Sequence, residues 1–151
     1  MNSIAILGAG TWGMALAKML KNTNKNVTVW SALPDEIEEL SKTSRHPKLP
    51  NVLIPKGIEY TTDIKSAVEN KDIIMFAVPS VFVRQTARKC KDYIKDNQII
   101  VDVAKGIEPD TLFTLTQVID DEIKNKTVKY VALSGPTHAE EVSRDMPTTI
   151  V

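Results

Sequence analysis

The sequence holds one cysteine, Cys90, in 151 residues, so no disulfide can form within the chain. It carries no excess charge of either sign: Lys and Arg number 19, and Asp and Glu number 19. Nor does it contain a block of basic residues. That balance argues against a nucleic-acid or membrane-surface binder, because counterion release and attraction to anionic lipid both need a basic face. No apolar stretch approaches the ~20 residues of a membrane span. The N-terminus has no basic n-region, apolar h-region or cleavage site and runs straight into a strand pattern. The expectation is a cytoplasmic protein. His46 and His138 are far apart and lack cysteines or carboxylates at ligand spacing, which predicts no metal site. Spacing supports no Ser-His-Asp arrangement either. Internal repeats and low-complexity segments are absent.

What is present is ordinary for a globular domain: 42% hydrophobic and 25% charged residues. The length has room for one domain with a real core, spanning 1–151. Short apolar runs rich in Val and Ile occur at Ile4–Leu7, Val27–Trp30, Ile73–Val78, Ile99–Val103 and Val128–Leu133. Their near-continuous hydrophobicity predicts strands covered on both faces. A weaker strand is expected at Ile58–Thr61, and Thr148–Val151 reads as the start of another.

Helical patterns fall between them. Trp12, Ala15, Leu16, Met19 and Leu20 follow the spacing of one buried helix face. Val83, Ala87, Cys90 and Ile94 repeat it, with Ser80 as the expected N-cap. In that pattern Cys90 reads as a small core residue, not a nucleophile. Leu112, Leu115, Ile119 and Ile123 mark a further helix, with Pro109 in its first turn, and Pro34 and Pro136 are expected to open two more. The stretch Ser41–Lys56, with three prolines and little periodicity, reads as an ordered loop or a mobile flap. Strand–helix alternation of this kind implies right-handed crossovers. The fold class is α/β: a Rossmann-type doubly wound, mainly parallel sheet with helices on both faces.

The segment Gly8-Ala9-Gly10-Thr11-Trp12-Gly13 gives that fold a site. Alone, a G-x-G-x-x-G match is weak. Here it follows an apolar strand and opens an amphipathic helix, the context in which it binds dinucleotides. Gly8 permits the tight turn, Gly10 lets the pyrophosphate approach the backbone, and Gly13 brings helix and strand together. The helix N-terminus then offers free N–H groups to phosphates. The second strand ends in Trp30-Ser31-Ala32-Leu33. No carboxylate stands there for the ribose hydroxyls, and no Arg for a 2′-phosphate. Ser31 could serve either, and Asp35 falls within the next helix, so NAD and NADP both remain open.

Three further clusters sit at strand ends, where ligands of open α/β sheets gather. Val78-Pro79-Ser80 reads equally as a cofactor contact and as a strand stop with a helix cap. Ser134-Gly135-Pro136-Thr137 reads equally as a site and as a turn into a helix. Lys105, between Ala104 and Gly106, is more informative, because a Lys directly after a buried strand beside the cofactor loop favours contact with an anion or carbonyl.

In order and content these clusters resemble the N-terminal domain of bacterial-type NAD(P)-dependent glycerol-3-phosphate dehydrogenase, over essentially the whole chain. The carriers are the glycine loop, Ala77-Val78-Pro79-Ser80, Lys105-Gly106-Ile107-Glu108, and Ser134 to Val142 with Pro147-Thr148 after it. The resemblance implies reversible reduction of dihydroxyacetone phosphate to sn-glycerol 3-phosphate by NAD(P)H, feeding phospholipid biosynthesis. A nicotinamide hydride goes to the ketone carbon while a general acid protonates the alkoxide. It implies that Gly8, Gly10, Thr11, Trp12, Gly13, Ser31, Pro79, Lys105 and Ala139 serve the cofactor. Lys105, Gly135 and Thr137 are then on the substrate side. Many members carry Arg or a polar residue where Ser31, Ala32 and Leu33 stand.

The family's enzymes are more than twice as long. Their second, helical domain supplies the general-acid Lys, which is therefore expected beyond Val151, and the full-length enzyme admits a homodimer. The expectation for these residues alone is a truncated chain that binds cofactor with little or no turnover. Two other readings stay open: a stand-alone dinucleotide-binding module or sensor, and the cofactor domain of a related hydroxy-acid or sugar dehydrogenase.

Overall fold

A computed structural model describes residues 2–124 and 126–151. Six strands, all parallel, form one sheet: β1 (Ser3–Leu7), β2 (Asn26–Trp30), β3 (Glu59–Thr61), β4 (Ile73–Phe76), β5 (Ile99–Asp102) and β6 (Lys129–Ala132). Their order is β3-β2-β1-β4-β5-β6, so the chain winds outward from β1 in one direction and then restarts beside it in the other. The register aligns the strand ends in one row. Leu7 pairs with Trp30 on one side and with Phe76 on the other, and Phe76, Asp102 and Ala132 continue the row. Every loop leaving a carboxyl end therefore emerges along one rim, and the switch of direction between β1 and β4 opens a crevice there.

The Val128–Leu133 run departs from the expectation of two covered faces, because β6 is an edge strand whose Lys129, Val131 and Ala132 are exposed. The continuous apolar runs of β1, β2, β4 and β5 are explained by two cores. Alternate residues Ala5, Leu7, Ile74, Phe76 and Ile100 face α3 (Ile64–Val68), α4 (Ser80–Cys90) and α5 (Leu115–Glu122). Ile4, Ile6, Val27, Val29, Met75 and Val101 face the opposite layer, which includes α1 (Thr11–Asn22) and α2 (Pro34–Thr43). The loop after α2 is an ordered one, because Leu49, Val52 and Ile54 are buried in that second core. α6 (Ala139–Ser143) packs on α1, and Lys18 bonds Asp145 at 2.6 Å just beyond it. That packing explains why Met14 and Ala17, outside the expected stripe, are fully buried while Met19 lies at the rim. Among the described residues, no helix is long and apolar enough to cross a membrane.

Several boundaries differ from the sequence expectation, each through local hydrogen bonding. Pro79, not Ser80, is the cap residue of α4: the Phe82 N–H donates to the Pro79 carbonyl at 2.8 Å, which places Ser80 inside the first turn. α5 begins at Leu115 and not near Pro109, because Thr114 and Gln117 form a capping box. Leu112 is exposed with φ 59°, outside the helix. Pro136 opens no helix. The Thr137 N–H donates to the Gly135 carbonyl at 2.8 Å in a three-residue turn, and α6 starts only at Ala139. Thr148–Val151 forms no strand; its backbone pairing is a reciprocal pair of 2.9 Å bonds between Ser134 and Val151. The sequence reading also missed α3, whose signal is Asp63 accepting from the Lys65 and Ser66 N–H groups.

Candidate functional site

The glycine loop lies at the crevice between β1 and β4. Gly8 holds φ +125°, and a Cβ there would stand 2.7 Å from the Ala77 carbonyl carbon and oxygen. A Cβ on Gly13 would meet the Gly8 carbonyl oxygen at 2.1 Å. These two glycines close-pack the turn against β4 and α1. Gly10 differs, because a Cβ there meets nothing within 4 Å. Open space lies above it, and Gly10 caps α1 without any side-chain hydrogen bond to the first turn. The free N–H groups of a 12-residue helix thus face an unobstructed crevice, a cradle suited to a diphosphate.

A cleft of about 510 Å³ extends from this cradle over the ends of β4 and β5, lined by Gly10, Thr11, Trp12, Pro79, Lys105, Thr137 and Ala139 among others. Residues more than 120 positions apart in the chain meet here. The Trp12 indole N–H donates to the Val103 carbonyl at 3.1 Å, pinning the ring to the end of β5. Lys105 Nζ lies 6.0 Å from the centroid of that ring and donates to the Thr137 carbonyl at 2.6 Å. Gly135 stands outside the lining residues. Its φ is +131°, and a Cβ there would meet the Thr149 carbonyl oxygen at 2.6 Å, so it shapes the turn that presents Thr137.

Two groups that the sequence reading passed over brace the chain on either side of Lys105, at Ala104 and at Glu108. Asp102, at the end of β5, accepts from the Ala104 N–H at 3.0 Å and the Thr116 hydroxyl at 3.3 Å. Burial pushes its carboxyl up from the ordinary value. An Asp closing a buried strand two residues before a turn N–H is the local signal that could have found it. Arg84 of α4 has no such signal. It forks onto Glu108 with two 2.7 Å bonds and reaches Asp121 and Glu122, also at 2.7 Å. The guanidinium, with help from the Thr111 hydroxyl, holds the Glu108 carboxyl down at about 2. The segment Lys105 to Glu108 is thereby clamped between α4 and α5.

A second chamber of about 360 Å³ adjoins the first across Gly10 and Ala77 to Pro79, over the end of β2. Ser31 and Glu36 line it. The absence of a carboxylate at the β2 end is corrected by the fold, since the first turn of α2 brings Glu36 back to accept from the Ser31 hydroxyl. Elsewhere, Cys90 is fully buried and burial pushes its thiol up to about 12, as befits a core residue. His46 is buried with Nδ1 accepting from the Lys48 N–H at 3.1 Å, and burial pulls its pKa below the usual value. Among the described residues, no group of three or more His, Cys, Asp or Glu is arranged to hold a metal ion.

Comparison with known proteins agrees with this geometry. The family profile "NAD-dependent glycerol-3-phosphate dehydrogenase N-terminus" matches residues 3–151. The chain is 62% identical to glycerol-3-phosphate dehydrogenase (NAD(P)+) 2 of Lactobacillus delbrueckii subsp. bulgaricus, covering 100% of this chain and 46% of that protein. It is 49% identical to glycerol-3-phosphate dehydrogenase (NAD(P)+) of Fusobacterium nucleatum, over 100% of this chain and 45% of the relative. The crystal structure of glycerol-3-phosphate dehydrogenase from Coxiella burnetii superposes with a TM-score of 0.90 at 30% identity, over 99% of this chain and 46% of that one. The chain thus spans a little under half the length of the relatives it matches. With the profile covering nearly every residue and the strand-end clusters meeting in one cleft, the chain belongs to the NAD-dependent glycerol-3-phosphate dehydrogenase family, as its N-terminal part.

Proposed function

We propose that this chain is the cofactor-binding part of an oxidoreductase that interconverts dihydroxyacetone phosphate and sn-glycerol 3-phosphate with NAD(P)H, feeding glycerophospholipid synthesis. The observation that carries the reading is the meeting of Lys105 with Thr137 in the cleft beside the N-terminus of α1. A cation held there faces the place where a nicotinamide and a carbonyl substrate would lie together.

The roles follow from what each group can offer. The first-turn N–H groups of α1, with Thr11 and Trp12 at their head, take the pyrophosphate, and the open face of Gly10 lets it approach. Gly8 and Gly13 keep that turn tight. Pro79 and Ala139 wall the nicotinamide side, and Ser31 lies on the adenosine side. When bound, the nicotinamide supplies or accepts the hydride. Lys105 has three N–H donors, of which one is used by Thr137. The remaining donors polarise the substrate carbonyl or hold its phosphate. Gly135 and Thr137 shape the substrate side through their turn. Lys105 is not assigned the proton transfer. The relatives run to more than twice this length, and the reading places the proton donor in their additional part. It also places the enzyme in the cytoplasm, as a homodimer at full length, acting on a small molecule and not on nucleic acid. The balanced charge supports the last point.

Titration of NADH and NADPH into the 151-residue chain, followed by tryptophan fluorescence, tests the cofactor role, since both Trp12 and Trp30 line the chambers. Saturable quenching is expected. If neither nucleotide binds, the reading fails. Reduction of dihydroxyacetone phosphate by the same chain is expected to be negligible, and robust turnover would show that the proton donor lies within it.

A further inference from the structure

The adenosine-side chamber presents a carboxylate, Glu36, near the end of β2, and the donors Gln85 and Lys89 on α4. The Ser31 hydroxyl donates to Glu36 Oε2, and its oxygen accepts the Leu33 N–H at 3.2 Å. The Ser31 hydroxyl and the Leu33 N–H are therefore already used. The next residue, Pro34, opens α2 and has no N–H to give. The first turn of α2 carries Asp35 and Glu36, so the positive end of its dipole is already met by carboxylates. Lys89 is the basic residue in the lining, and its ammonium stands 5.9 Å from the Trp30 ring centroid on the α4 side.

We propose that Glu36 makes this chain selective for NADH over NADPH. The inference rests on the dinucleotide-binding reading above and deepens it. A ribose diol has two O–H donors and needs an acceptor; the Glu36 carboxylate, held by Ser31 at the chamber wall, is one. A 2′-phosphate is an acceptor with up to two negative charges. It would find the Ser31 hydroxyl and the Leu33 N–H occupied and a carboxylate in its path, while the Lys89 cation stands on the α4 side of the chamber. Like charges brought together in a recognition site disfavour binding, which reads out as an affinity ratio between the two nucleotides. The sequence conceals this arrangement. The carboxylate comes from inside a helix, not from the strand end, and only the turn Ser31-Ala32-Leu33 folds it back.

The test is equilibrium titration of the 151-residue chain with NADH, NADPH, ADP-ribose and 2′-phospho-ADP-ribose. NADH is expected to bind at least about tenfold more tightly than NADPH, with the same ratio between the two fragments. Glu36→Gln keeps the side-chain size and removes the charge. It should shrink the ratio about tenfold, mainly through tighter NADPH binding. Lys89→Gln should change both affinities alike. Equal or tighter NADPH binding by the unmodified chain overturns the proposal, and needs no variant to show it. A ratio that survives Glu36→Gln overturns the role of Glu36. A selective loss of NADPH affinity in Lys89→Gln would assign the chamber to a phosphate and overturn it too. Binding of neither nucleotide defeats the underlying reading along with this one, whereas binding with the wrong preference defeats this one alone.

Discussion

A Cβ on Gly13 would stand 2.1 Å from a backbone oxygen, whereas one on Gly10, three residues earlier in the same motif, would meet nothing within 4 Å. The two positions therefore separate structure from ligand. Gly13→Ala forces α1 away from β1 and should cost about 3 kcal/mol, the upper end of overpacking penalties. Gly10→Ala should cost no more than about 1 kcal/mol, the scale of an N-cap change. Its methyl occupies the space the pyrophosphate needs, so NADH affinity should fall at least about tenfold. Thermal unfolding and NADH titration of both variants check this. Wild-type affinity in Gly10→Ala would mean the dinucleotide does not cross the loop there.

At the scale of elements, the Arg84 fork joins α4, the segment leaving β5 and α5. The Arg84 and Glu108 side chains are 20% and 17% exposed, enough shielding for the pair to matter more than a surface bridge. Removing the guanidinium leaves Glu108, Asp121 and Glu122 facing one another, so Arg84→Met should lower Tm by several degrees. It should also raise proteolytic sensitivity between residues 103 and 114. The pH dependence follows from the depressed Glu108 value. Its stabilising contribution is fully present above the ordinary glutamate value of 4.5 and is lost as pH falls through about 2. The Tm gap between wild type and Arg84→Met should hold steady above about 4.5 and close toward pH 2. A gap that is constant down to pH 2 would show that the clamp contributes through packing alone.

The whole molecule carries apolar surface along the rim that holds the cleft. Val81, Phe82, Ile107 and Leu112 are exposed. Gly106 approaches Ser80, which brings Val81 and Ile107, the residues that follow them, into one neighbourhood. Exposed apolar side chains gathered in this way mark places where proteins associate. The 151-residue chain should therefore show a rise in mean mass with concentration in light scattering, reduced by Phe82→Ser. A clean monomer at high concentration would count against an association surface at this rim.

Legibility in the sequence followed the range of the interactions. Val- and Ile-rich runs without a polar face read as strands buried on both sides, which holds for β1, β2, β4 and β5 but not for the edge strand β6. Their alternation with helical periodicity points to a doubly wound parallel sheet. The glycine loop was readable because its constraints are local: a turn at Gly8, a close approach at Gly13 and an exposed helix start at Gly10. Strand-end position brought Lys105 and the Ser134–Thr137 cluster forward, and resemblance to a family gave them roles. The contact of Lys105 with Thr137 belongs to the fold, since it depends on the registers of β5 and β6. Helix starts were misplaced wherever a hydrogen bond overrode a proline or serine, as at Thr114 and Pro79. Asp102 had a local signal at its strand end, whereas Glu36 and Arg84 were not readable as lining or bracing residues. Glu36 reaches the site by a fold-back of α2, and Arg84 meets partners 24 to 38 residues away that no periodicity announces. Sequence alone determined the layered sheet and the phosphate cradle, because those arise from local sterics and burial. Tertiary structure alone decided which charges line the two chambers, because those come from contacts between separate elements.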